Sequence, residues 1–280
     1  MKLKRINSKE WFGLLFAFLL TLFFVIVYIL FGLGMGIFNS RSITKSVNDS
    51  DYFGKVYADV NQRTGELLSQ AGLPEKILSD VITQGRVHAD GINYIEAAIR
   101  KEQPQQKLHM LHGDIAEAIR EYILQEGSIQ SQLSGEIAAV ADAIEDEYRS
   151  RVQLTFVEYL MGYKEDYSCI VMIIAPTLIL LIGILCYLLI RLHRYGYRGM
   201  RYIAYSLLAS SILTMAGAFY FISTRMYDKI KISPEYYQQF ILGYVKMSIT
   251  VFVYTGMMGL FLGMAWIALI VHMRNRILNN

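Results

Sequence analysis

The sequence predicts an all-α integral membrane protein: four transmembrane helices, with an extracytoplasmic antiparallel helical bundle inserted between the first and the second. Three observations lead there. The runs 11–38, 167–190, 202–224 and 247–273 each hold 23 or more residues without Lys, Arg, Asp or Glu, enough to cross a bilayer as a helix. The chain is 54% hydrophobic with a mean hydropathy of +0.33, too apolar for an ordinary soluble domain. Its charges are sorted by segment, so the overall +3 describes no single surface.

Lys2, Lys4, Arg5 and Lys9 occupy the tail 1–10, before the first run. Arg191, Arg194, Arg198 and Arg201 fill the link 191–201, and Arg274 and Arg276 fall in the tail 274–280. Against them stands only Glu10. An excess of Lys and Arg marks cytoplasmic segments, so these three are expected inside, giving an N-in, C-in, multi-pass protein. Segment 39–166 carries 13 Lys/Arg against 21 Asp/Glu and is expected outside, with the short loop 225–246.

The first run, 11–38, has a basic flank like a signal peptide but is far longer than a signal's apolar core. It ends in Gly32-Leu33-Gly34-Met35-Gly36 rather than a small-residue cleavage site, so an uncleaved signal anchor is expected. Cys169 and Cys186 both lie in the second run. Seventeen positions of helix separate them by about 25 Å, too far to pair. The outer segment has no cysteine, which points to a bacterial plasma membrane rather than a eukaryotic secretory surface.

Within 39–166 the apolar period is helical. Phe53, Val56, Val60, Leu67 and Leu68 mark a first helix, with Asn48 or Asp49 as its cap, stopped at Gly72-Leu73-Pro74. A second is expected from Glu75, through Ile77, Val81, Ile92, Ile95 and Ile99, kinked or broken near Gly85 and Gly91, and ended by Pro104. Leu108, Leu111, Ile115 and Ala118 form a third seam. Ile129, Leu133, Ile137, Val140, Ile144, Tyr148, Val152, Phe156 and Tyr159 form a fourth, with only Gly162 to interrupt it before the second span, so one unbroken helix is expected from bundle to membrane. In outline this bundle resembles the ligand-binding domain of bacterial chemoreceptors; the likeness is architectural, without a signalling motif. Ser233-Pro234-Glu235 is a helix start, and Tyr236, Tyr237, Phe240 and Tyr244 after it suggest an interfacial aromatic belt.

The nearest thing to a metal cluster is His109, His112 and Asp114, with His88 as a remote third imidazole. Histidines three apart share a helix face, yet solvated polar-face histidines are the default reading. The acidic run Asp142, Glu145, Asp146 and Glu147 reads as a wet helix face. No span holds a buried ionisable residue, which argues against an ion-coupled carrier. Small residues do recur in the spans: Gly32 and Gly36 in the first, Ser206, Ser210, Thr214 and Ala218 in the third, Gly259 and Gly263 in the fourth. Such stripes let helix backbones approach closely, within the chain or with another membrane subunit.

These features suggest a cell-envelope membrane protein whose outer helical domain binds or senses a partner and whose spans pack with each other or with another subunit, without catalysis of its own. The alternative is a transporter or channel component capped by the outer domain. The expected partners are the lipid bilayer and a membrane-protein or envelope component; no cofactor and no nucleic acid are expected.

Overall fold

A computed structural model of the chain describes residues 8–103, 111–125, 133–193, 195–229 and 231–279. The described residues form helices and turns and no strand: α1 Ser8–Gly32, α2 Ser40–Asp49, α3 Tyr52–Gln70, α4 Gln84–Arg100, α5 Leu111–Gln125, α6 Leu133–Val152, α7 Thr155–Leu192, α8 Gly196–Thr224 and α9 Glu235–Asn279. Among the described residues, four stretches are long and apolar enough to cross a membrane: Glu10–Ile37, Thr155–Leu192, Gly196–Lys229 and Glu235–Asn275. The chain divides into two compact units. A span unit comprises Met1–Ser42, Lys164–Lys231 and Tyr244–Asn280; an inserted unit comprises Ile43–Tyr163 and Ile232–Gly243.

In the inserted unit, Asn48 and Asp49 close α2 rather than capping the next helix. The chain turns through Asp51 in the left-handed region (φ +48°) before α3. Gly72 (φ +75°) ends α3 in a Schellman arrangement, with Leu73 N–H on Leu68 O and Gly72 N–H on Ser69 O, a conformation that favours glycine. Glu75–Leu78 makes only a single 3-10 turn, because Thr83 restarts the helix: its side chain accepts from Arg86 N–H at 3.2 Å and caps α4. The break expected near Gly85 falls just before it, at 79–83, and α4 then runs through both Gly85 and Gly91. Gly91 serves packing instead: a Cβ there would overlap the buried Phe53 ring.

Val56, Val60, Leu68, Ile82, Val87, Ile95, Leu111, Ile115, Ile119, Ile144 and Val152 are almost wholly buried and form the inserted core. Asp90 meets Tyr148 and Tyr94 meets Glu158, so α4 runs in the same sense as α6 and the start of α7. The expected seam residues Leu108 and Ile129 lie outside the described residues.

The fourth seam is not one unbroken helix. α6 ends at Val152 and α7 begins at Thr155. Val152 and Leu154 are both fully buried; two positions along a helix is about 200° of rotation, so a continuous helix would turn one of them outward. Gly162, by contrast, sits inside α7 with open space around it. Gly162→Ala is therefore expected to be neutral or stabilising by up to about 1 kcal/mol. Gly162→Pro should cost about 3 kcal/mol or more by removing a ladder bond and clashing with the preceding turn. Thermal melts of both variants in detergent check this; equal melting temperatures would contradict a helical Gly162.

Tyr236, Tyr237 and Phe240, expected at the interface, meet protein aromatic rings. They pack on the inserted core, with Tyr52 5.6 Å from Tyr236 and 5.3 Å from Phe240 between ring centroids, and Phe240 is fully buried. A tyrosine-rich helix start reads alike whether it faces lipid headgroups or a protein core; here Tyr52 and Phe156 supply the core.

In the span unit, Leu20, Leu185, Leu189 and Ile203 form a buried cluster joining α1, α7 and α8, with Trp266 of α9 packed on it. Outward, α1 shows Trp11, Phe12, Leu14 and Phe18, and α7 shows Met172, Ile173, Ile179 and Leu180, the apolar exterior that a lipid-facing helix requires. After Gly32, α1 widens into a π-helical turn, Leu33–Ile37, in which Phe38 N–H bonds Leu33 O at 2.9 Å. Two tyrosine hydroxyls reach this region: Tyr167 donates to Leu30 O and Tyr244 to Ile37 O. The Tyr167 ring also stacks on Phe38, with centroids 4.6 Å apart.

Candidate functional site

Each metal candidate that is described already has a partner. His112 Nε2 lies 3.1 Å from Asp142 Oδ1, and Asp114 accepts from Arg86 at 2.8 Å. His88 stands edge-on to Phe53, with ring centroids 5.7 Å apart. His109 lies outside the described residues. Among the described residues, no three His, Cys, Asp or Glu side chains converge in a metal-binding arrangement.

The acidic run is only partly a wet face. Asp142 and Asp146 are exposed, but Glu145 is buried and accepts from Arg149 Nε at 2.9 Å, while Glu147 pairs with Arg151 at 2.9 Å. Arg151 also pairs with Asp59, which accepts a second hydrogen bond from Tyr236 at 2.9 Å. This Asp59–Arg151–Tyr236 junction ties α3, α6 and the first turn of α9 together inside the inserted unit. Lys55 adds a bond to Gln239 Oε1 at 2.7 Å, and Ser46 Oγ one to Phe240 O at 3.2 Å.

Deeper lies a pair that the sequence did not single out. Asp90, 1% exposed, accepts from the fully buried Tyr148 at 2.8 Å, and one turn along Tyr94 donates to Glu158. A carboxylate on the apolar face between Val87 and Tyr94 was the available signal, since such a group must be satisfied in place. Burial first, then the Asp90 hydrogen bond and charge, raise the Tyr148 phenol well above its ordinary range. Tyr94 rises for the same reasons with Glu158, and Tyr52 mainly through burial. Phenols held protonated are poor acids and bases at neutral pH, so these groups act as structural donors.

The direction of these shifts sets an alkaline limit. A tyrosine whose folded pKa exceeds its unfolded value contributes fully below about pH 10. Above that the unfolded chain releases protons that the folded chain holds, and stability falls by up to about 1.4 kcal/mol per pH unit per group until the folded pKa is passed. Helix melts of the full chain in detergent between pH 9 and about 12 should show this fall. Tyr148→Phe should start lower, because Asp90 loses one hydrogen-bond donor, and decline less steeply; an identical slope would contradict the role of Tyr148.

In the span unit the small residues sit at close helix approaches. A Cβ on Gly32 would lie 2.5 Å from the Phe252 ring, on Gly36 2.9 Å from Ser248 O, and on Gly263 2.7 Å from Leu208 Cδ2. On Gly259 it would collide with the hydroxyls of Ser211 and Tyr28. Ser206, Ser210, Thr214 and Ala218 are buried along α8. Gly256, not anticipated from the sequence, extends the α9 series: its Cβ would fall against Met215 and 3.0 Å from Ser211 O. Spacings of three and four from Gly256 to Gly263 carried that signal.

The buried hydroxyls mostly bond back to their own helix. Ser210 and Ser211 donate to Leu207 O at 2.9 and 2.6 Å, Thr214 to Ser210 O at 2.9 Å, and Thr255 to Val251 O at 2.9 Å. Ser206 Oγ also lies 2.8 Å from Ala17 O on α1, and Ser211 Oγ 3.5 Å from the Tyr28 hydroxyl. Hydroxyls spent on local carbonyls fill and hold a helix interface.

Fold and site together define a class: an all-helical, multi-span membrane protein with a large helical region inserted between its first and second spans. No family model, curated protein or solved structure matches the chain.

Proposed function

We propose that this is a cell-envelope membrane protein whose inserted unit binds or senses a partner on the extracytoplasmic side, with no catalysis of its own. The observation that carries this reading is that α7 and α9 each contribute residues to both units. Occupancy of the inserted unit thus acts on helices that are also spans. The basic residues of the short segments 1–10, 191–201 and 274–280 support an inner placement for them and so an outer one for 39–166, and the structural use of the buried Tyr–carboxylate pairs supports a binding role over a catalytic one. The test is extraction of the full chain in mild detergent: a stoichiometric envelope or membrane partner should co-purify, and be lost from a variant whose inserted unit is unfolded. Purified protein that conducts ions in liposomes would instead establish the channel alternative.

The N-in, C-in topology is part of this proposal. In a chain lacking Cys169 and Cys186, cysteines placed singly at the exposed positions Asn61 and Asn275 should behave oppositely toward an impermeant thiol reagent on intact cells. Asn61→Cys should label and Asn275→Cys should not; the reverse pattern would invert the protein.

A further inference from the structure

The geometry points to an anionic-phospholipid site on the arginine–tyrosine collar where α7 ends and α8 begins. Arg191, Arg198 and Arg201 are exposed there, and each guanidinium lies over a tyrosine ring: 5.9 Å from the Tyr187 centroid, 5.8 Å from Tyr195 and 5.4 Å from Tyr197. Arg191 Nη1 also donates to the Tyr187 hydroxyl at 2.9 Å. The turn beneath them is tightly built. A Cβ on Gly199 would lie 2.7 Å from Ile190 Cα and 2.8 Å from Leu189 C, so the two helices meet backbone to backbone.

Among the described residues neither Arg198 nor Arg201 has a carboxylate partner, and from Tyr167 to Tyr227 the sequence has no Asp or Glu at all. The collar is therefore a concentration of positive charge whose counterion comes from elsewhere. Guanidinium forks match phosphate oxygens, and rings that already hold the arginines reduce the ordering cost of binding. Next to the collar, Ile184, Leu188 and Ile190 of α7 and Tyr205 of α8 are exposed. Apolar surface adjoining a phosphate-binding charge fits a ligand with acyl chains below its phosphate, which commits the site to a phospholipid over free phosphate.

The inference rests on α7 and α8 being membrane spans, a reading that would fail separately, if the full chain stayed monodisperse in buffer without detergent. The test titrates the purified full chain in neutral detergent with phosphatidylglycerol, phosphatidylcholine or inorganic phosphate and follows its melting temperature. Phosphatidylglycerol should raise it saturably while the other two do not. Arg191→Gln, Arg198→Gln and Arg201→Gln should each weaken apparent affinity about fivefold, the factor for one basic residue at an anionic surface. Tyr197→Leu should weaken it less. Arg63→Gln/Arg100→Gln/Arg120→Gln, which removes the same charge from the inserted unit, should leave the response intact. Should one of the collar variants fail to fold, the other single variants and charge-preserving Arg→Lys replacements carry the test. Equal shifts with phosphatidylcholine or inorganic phosphate, or an unchanged response in the collar variants, would overturn the proposal.

Discussion

Ile144→Asp is expected to unfold the inserted unit. Ile144 is fully buried on α6, between Ala141 and Tyr148, which are also fully buried. A carboxylate there has no donor prepared for it and costs several kcal/mol, or titrates upward to stay neutral. That is comparable with the whole stability of a domain this size. Far-UV circular dichroism and protease sensitivity of the full chain in detergent read the result. Loss of a large helical fraction, with protection of the span fragments, is expected; Ile144→Val should cost only about 1 kcal/mol. A melt unchanged by the aspartate would remove Ile144 from the core.

Gly259→Leu should be the most damaging single change among the spans. Even a methyl at this site meets the Ser211 and Tyr28 hydroxyls, so a leucine must push α9 away from α8 and α1. Overpacking costs about 1–3 kcal/mol, and separation of the helices also disturbs the neighbouring Gly256 and Gly263 approaches. Gly183→Leu provides the contrast, because nothing lies within 4 Å of Gly183. Melting in detergent should fall clearly for Gly259→Leu and hardly for Gly183→Leu. If both are equally harmful, the open face of α7 is covered by something besides lipid.

The spans were legible because a run of 23 or more uncharged residues has essentially one stable form in a bilayer. The inserted core was legible where aliphatic residues repeat, as at Leu111–Ile115 and Ile144–Tyr148–Val152, although Ile119 rather than the expected Ala118 is the fully buried residue that continues the third seam. The break at Gln153–Leu154 was not, since neither Gly nor Pro marks it. It arises from tertiary demand: two residues must be buried that a helix would place apart. Glycine misled in the other direction. Gly91 suggested interruption, yet it lies inside a continuous helix and admits the Phe53 ring, while Gly162, expected to leave its helix unbroken, stands in open space inside α7. Tyr159 followed the seam by spacing but is 72% exposed, because the break resets the phase of α7. The Asp90–Tyr148 and Asp59–Arg151–Tyr236 contacts join residues 58 to 177 positions apart, a relation that local periodicity does not encode.

The π-helical turn at Leu33–Ile37 has a consequence for insertions and deletions. Such a turn holds one residue more than the α-helical path it replaces. Deleting Met35 would let the segment close as ordinary α-helix with the phase of both flanks kept, so Gly36 would stay against Ser248 and the Ala17, Leu20 and Tyr28 face against α8. Closing the turn with Met35 retained is the damaging change: each residue is about 100° of helix rotation, and that face would swing away from Ser206 and Ser211. The surplus residue thus acts as a phase setting, tolerant of a one-residue loss at the turn and intolerant of the turn being straightened.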